Sequence, residues 1–279
     1  MTPQQKKKIL YISHEFNPYN IETDMAEALN ELAVLSNKEG YEVRCIMPRF
    51  GTINERRHKL HEVVRLSGIN IHVDKEDYPL IIKVASLPNA RLQMYFMDNE
   101  DMFKRKQVFH DEEENFFEDN AERTIFFCKS AIETVKKFGW PPDIIFIHGW
   151  MGGLIPALIK HQFKNEPVFA ESTIIYSVSK EMTNESLGER FGEMLSNSTQ
   201  LKSKVVSLFE KGGNHDMYLG GAKNSDVVCF SHPDVSANLT KAVKPTKSKK
   251  VLKFNPEEED LNTIIDLYAE ILPEEEEED

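Results

Sequence analysis

Short apolar runs closed by polar residues recur along this chain, and they alternate with stretches of helical spacing. ILYIS at 9–13 follows three lysines and reads as a strand buried on both faces. Residues 24–38 place Met25, Leu29 and Leu32 on one helical face, with Asp24 as N-cap, Glu27 three residues on, and Gly40 to end it. VRCIM at 43–47 is the next strand and completes a βαβ unit. Residues 119–138 give the strongest helical pattern. Cys128, Ile132 and Val135 share a face, Asp119 and Glu122 can form a capping box, and Gly139, Pro141 and Pro142 stop the helix. DIIFI at 143–147 is another buried strand and runs into HGWMGG and the helix LIPALIKH.

Between these units the pattern changes. Residues 60–98 are rich in β-formers with turn residues between them, which predicts a meander or hairpins inserted into, or added to, the sheet, and 99–118 read as an acidic, aromatic surface excursion. Further strands are expected at 167–170, 173–178 and 227–230, helix over most of 183–210, and a short helix from Pro233. Alternating strand and helix predicts an α/β fold, a doubly wound, Rossmann-like parallel sheet with helices on both faces. The expected organisation is a domain over 1–240 and a solvated lysine-rich linker over 241–255. A helix over 256–272 then packs back on the domain, ahead of an acidic tail at 273–279.

Charge sharpens this reading. The net charge of −12 comes from the end: twelve acids and no Lys or Arg lie from Glu257 onward, so the rest is neutral. A nucleic-acid-binding protein would show a basic face, and none is evident. Cys45, Cys128 and Cys229 lie far apart without a CxxC pair, so neither a zinc site nor a disulfide framework is indicated. The N-terminal apolar run is too short for a secretory signal, and no run is long enough to span a membrane. The expectation is a cytoplasmic protein, in a reducing compartment, with no membrane or nucleic-acid partner.

Ligands of such sheets bind at the C-terminal strand ends. The first strand ends in His14-Glu15, and the strand at 143–147 ends in His148-Gly149-Trp150. If these strands are neighbours, a carboxylate and an imidazole face one crevice and could bind sugar hydroxyls or move a proton. The other reading makes His148 a satisfied structural histidine and Glu15 a loop carboxylate. There is no GxGxxG after the first strand and no GxxxxGK[ST], so a dinucleotide or P-loop reading lacks its phosphate loop. Nothing shows metal-ligand spacing.

KILYISHEFNP, EVRCIMPRFG, RLQMYFMDNEDMF, FFEDNAERTIFFCKSAIE, GWPPDIIFIHGW and HDMYLGGAKNSDVVCFSHPDVSANL follow one another in an order that resembles bacterial glycogen synthases and plant starch synthases, family-5 glycosyltransferases. The resemblance spans roughly residues 7–240. It implies the N-terminal half of a GT-B fold, which mainly holds the acceptor glucan. It also implies retaining transfer of glucose from ADP-glucose to an α-1,4-glucan. No metal or other cofactor takes part, the sugar nucleotide being a co-substrate. By resemblance Glu15, Glu27, Asp119, His148 and Trp150 fall on sugar-site positions, while no catalytic residue is identified.

The departures are as informative. The family's Lys-Thr-Gly-Gly loop, whose lysine meets the donor, reads Ile21-Glu22-Thr23-Asp24. A loop facing phosphate should not gain two acids. In the family's His-Asp-Trp-His motif the Asp is Gly149 and the second His is Met151. The C-terminal, donor-binding domain has no counterpart in these residues. Three readings follow: a synthase-type transferase dependent on a partner that supplies the donor domain, a non-catalytic glucan-binding or regulatory relative, or an interaction protein that works through its lysines and acidic tail.

Overall fold

The computed structural model describes residues 6–87, 90, 92–180, 185–256 and 259–273. In chain order the strands are β1 (Lys8–Ser13), β2 (Glu42–Pro48), β3 (His61–Glu62), β4 (Ile69–Val73), β5 (Glu76–Ser86), β6 (Gln93–Asp98), β7 (Ile144–His148), β8 (Thr173–Val178), β9 (Val227–Phe230) and β10 (Lys250–Lys253). The helices are α1 (Met25–Lys38), α2 (Glu55–His58), α3 (Glu100–Phe103), α4 (Asn120–Phe138), α5 (Leu154–Ala157), α6 (Phe191–Ser198), α7 (Ser203–Val206), α8 (Asn214–Asn224), α9 (Ala237–Ala242) and α10 (Asn262–Ile271).

The strands form one sheet in the order β10-β9-β8-β7-β1-β2-β6-β5-β3, with β4 paired to β5. From β10 to β6 every pairing is parallel, and β5 runs antiparallel to β6, β3 and β4. The β-rich stretch is therefore a hairpin extension of one edge. At the centre, Ile9, Leu10, Ile144, Ile145 and Ile147 are sealed from solvent, as strands covered on both faces require.

Side-chain alternation sorts the helices. The Tyr11 hydroxyl meets Ser36 Oγ of α1 at 2.8 Å and the Tyr268 hydroxyl of α10 at 3.0 Å, so these two helices share one face. Thr134 of α4 reaches Met97 Sδ from the other face, where α5 packs between α4 and α8. The first strand's C-terminal end thus sits mid-sheet, flanked by β7 and β2, with helices above and below.

Several expectations are corrected. The segment read as a solvated linker carries β10, which pairs in register with β9 from Lys250 opposite Val227 to Lys253 opposite Phe230. Its lysines hid it: Lys249 Nζ donates to Ala222 O at 2.8 Å and Lys250 pairs with Glu270, while Val251 and Leu252 lie half-buried between them. Lysines on an edge strand discourage pairing with a foreign strand. Residues 167–169 form a 3₁₀ turn instead of a strand, because Pro167 lacks the N–H a ladder needs. Neither Asp24 nor Asp119 caps its helix through the side chain. The short helix begins at Ala237, capped by the Ser236 hydroxyl on Leu239 N. The helical stretch expected over 183–210 resolves into α6 and α7, and its first two residues lie outside the described residues, as do 257–258 and the acidic residues 274–279.

Helix α10 buries Ile264, Leu267 and Tyr268. Its buried hydroxyl continues a chain that ends where Ser36 Oγ donates to Leu32 O at 2.8 Å. Tyr268→Phe should cost about 1 kcal/mol, the lost hydrogen bond. Tyr268→Ala should cost about 3–5 kcal/mol, since a large cavity opens under the helix. Urea unfolding of the two variants measures both.

Candidate functional site

The parallel register lines up Ser13, His148 and Ser177 across β1, β7 and β8. One residue past β1 the chain turns inward, and His14 and Glu15 are both buried. Sequence neighbours at adjacent strand ends therefore become contacts.

Glu15 is the centre. Its Oε1 lies 3.2 Å from His148 Nε2. Its Oε2 accepts the backbone N–H of Thr23 at 2.8 Å and of Glu22 at 3.2 Å, and the Thr23 hydroxyl reaches both oxygens at 2.9 and 3.0 Å. Burial alone would push this carboxyl up. The hydrogen bond from His148, the neighbouring imidazoles and Thr23 more than reverse that and hold it down at about 2.

Behind Glu15, the His148 ring passes the interaction on. Its Nδ1 is 2.9 Å from Ser177 Oγ, Ser177 donates to Ser231 Oγ at 2.8 Å, and Ser231 donates to Val178 O at 3.1 Å. Each serine has one hydroxyl proton. Ser231 spends its own on the carbonyl and Ser177 on Ser231, so Ser177 accepts from Nδ1–H. With the Glu15 carboxylate facing Nε2, both ring nitrogens have partners. His148 is thus wholly engaged inside the chain.

Above this pair lies a cavity of about 100 Å³. His14, Glu15, Glu22, Thr23 and Ser179 line it together with an aromatic wall of Phe109, Phe116 and Trp150. The Phe109 and Trp150 rings stand 4.9 Å apart, and His14 lies 5.6 Å from Phe109 and 6.0 Å from Trp150. Desolvation, then the nearby Glu15 carboxylate, push the Glu22 carboxyl up. Burial pushes the His14 imidazole down to about 4, so its ring is neutral at pH 7. The loop carrying Phe109 is fastened from α4: Arg123 Nη1 donates to Val108 O at 2.7 Å, and Asn120 Nδ2 to Phe109 O at 2.9 Å.

Of the residues expected at a sugar site, Glu15, His148 and Trp150 come together. Asp119 does not line the cavity; its carboxylate pairs with Arg105 of the preceding loop. Glu27 is exposed on α1, also away from the cavity. Sequence reasoning passed over Thr23, Ser177, Ser231 and Phe109. The two serines had a signal, each being a polar residue at the C-terminal end of an apolar run. No group of metal-binding side chains occurs among the described residues.

Comparison with known proteins agrees with this architecture. The family model for the starch synthase catalytic domain matches residues 8–244. The glycogen synthase of Chlorobium limicola is 33% identical over 223 residues, covering 79% of this chain and 45% of the relative. That of Chlorobaculum parvum is 30% identical over 254 residues, covering 87% and 51%. The catalytic domain of starch synthase IV from Arabidopsis thaliana, solved bound to ADP and acarbose, superposes with a TM-score of 0.70 at 16% identity, over 90% of this chain and 52% of that one. The fold is that of a GT-B glycosyltransferase domain, and the chain spans about half the length of the curated relatives it matches.

Removing His148 strands a buried carboxylate, so His148→Ala should lose about 3–5 kcal/mol in urea unfolding at pH 7. Acid should weaken the fold in two stages. His14 titrates lower folded than its ordinary 6.5, so its contribution is complete above pH 6.5 and is lost as pH falls toward 4. Glu15 is also depressed, so its contribution holds above about 4.5 and is lost toward pH 2. His14→Phe should flatten the first limb, worth about 3 kcal/mol, and move the second to higher pH, since the His14 imidazole is one of the groups that hold Glu15 down.

Proposed function

The chain belongs to the starch synthase catalytic-domain family, and from that premise we propose that it is a glycogen/starch synthase-like acceptor module. It holds an end of an α-1,4-glucan, and its loop at 21–24 does not serve a donor diphosphate, so by itself it transfers no glucose from ADP-glucose. The observation that carries this reading is the fold of the loop at 21–24. Where a donor site needs a cation, Ile21 stands exposed, and the two residues after it turn their N–H groups and the Thr23 hydroxyl onto Glu15. A preorganised group facing the transferring phosphate is worth about 2.7–4 kcal/mol of barrier. This loop offers carboxylates instead, those of Glu22 and Asp24.

What remains suits a glucan. Trp150 and Phe109 give an apolar wall against which the face of a sugar ring can lie. Glu22, Ser179 and His14 supply polar groups at its edge. Such a module works in the cytoplasm, where ADP-glucose and glucan meet, and no described helix is long and apolar enough to cross a membrane. In this role Glu15 and Trp150 shape the sugar site, and His148 positions Glu15.

Isothermal titration with maltoheptaose and, separately, ADP-glucose tests the reading. Heat is expected from maltoheptaose only, with dissociation constants on the order of millimolar to micromolar. Labelled ADP-glucose offered with glycogen to the pure chain should give no incorporation. Binding of ADP-glucose, or incorporation, would overturn the acceptor-only assignment.

A further inference from the structure

Glu15 and His148 are engaged within the chain, yet a buried ring that lines the cavity they underlie has a nitrogen that is not. His14 is 4% exposed, its ring lines the cavity, and its Nδ1 has no hydrogen-bond partner. The ring sits where a side chain on residue 149 would be. A Cβ built on Gly149 would come 2.5 Å from His14 Cε1 and 2.8 Å from Nδ1, and the backbone there has φ +85°. The motif this segment resembles has an aspartate at that position. Here residue 149 carries no side chain, and the imidazole from the end of β1 lies where one would start.

We propose that His14 is the ligand-contacting and specificity-determining residue of the crevice, donating from Nε2–H to a hydroxyl oxygen of a neutral saccharide edge. The proposal rests on the glucan reading and adds to it the residue and the class of ligand group. Burial keeps the ring neutral. A bare acceptor is tolerated in a protein interior better than a bare donor, so the unpartnered Nδ1 is the unprotonated nitrogen and the proton sits on Nε2.

One further feature fixes the ligand class. The Glu15 carboxylate and Glu22 line the same cavity, so a phosphate is repelled and an uncharged hydroxyl is not.

The test uses the full chain labelled with ¹⁵N. Maltoheptaose should shift the imidazole ¹⁵N resonances of His14, starting from an Nε2–H pattern, and glucose 1-phosphate should not. His14→Phe keeps a flat ring under Gly149 but removes both nitrogens. It should melt near the wild-type temperature at pH 7 and bind maltoheptaose about tenfold more weakly or worse, the loss of about 1.4 kcal/mol. His14→Gln, which keeps a donor, should recover part of that loss. If the wild type binds maltoheptaose while the His14 resonances stay still, or if His14→Phe binds as tightly, the inference falls and the glucan reading stands. Should His14→Phe fail to fold, the wild-type ring shift decides alone. Equal shifts with glucose 1-phosphate overturn the neutral-ligand class. A wild type that gives neither heat nor any shift with maltoheptaose overturns the glucan reading, and the role of His14 with it.

Discussion

A carboxylate and an imidazole buried together at the ends of two central strands set the terms for everything around them. A buried carboxylate is tolerated only when its lone pairs find donors, and a buried imidazole only when its ring nitrogens find partners. Glu15 and His148 meet that condition through the chain itself. The loop at 21–24 closes over Glu15, and Ser177 and Ser231 receive His148. The parallel register supplies the serine side, because β7 and β8 end level with each other. The loop between β1 and α1 supplies the other.

That solution has a functional consequence. One short loop cannot both neutralise a buried carboxylate and reach outward to a diphosphate. With Thr23 where the resembling motif has glycine, the hydroxyl stays on Glu15, and the loop's N–H groups point inward too. Glu22 and Thr23 hold the site's own carboxylate, and Ile21 stands exposed beside them.

Through the first 180 residues the central strands and long helices were legible, because each central strand is a short apolar run and each long helix has a clean stripe, while 167–169 misread as a strand. The segment at β10 was not. Six lysines in 241–253 mask two apolar residues, and only the pairing with β9 makes a strand of them. Asp119 shows the same limit at the site. Its place before α4 reads as a cap, but Arg105 fourteen residues earlier claims the side chain, an ion pair set by loop closure. Glu15, His148 and Trp150 were recoverable from the two strand ends. Phe109 was not, since it reaches the cavity through a loop whose course depends on Arg123 and Asn120.

His14 and Gly149 make the case for reading residues in pairs. Alone, a histidine beside a catalytic-looking glutamate suggests an acid or base, and a glycine in a His-x-Trp motif suggests decay. Together they exclude one another's alternatives. At φ +85° and 2.5 Å from an imidazole carbon, position 149 cannot carry a side chain while His14 occupies its present rotamer. His14 cannot keep that place if 149 regains one. His14 therefore holds the polar position beside the end of β7, on a scaffold set by the strand register and the buried Glu15–His148 contact.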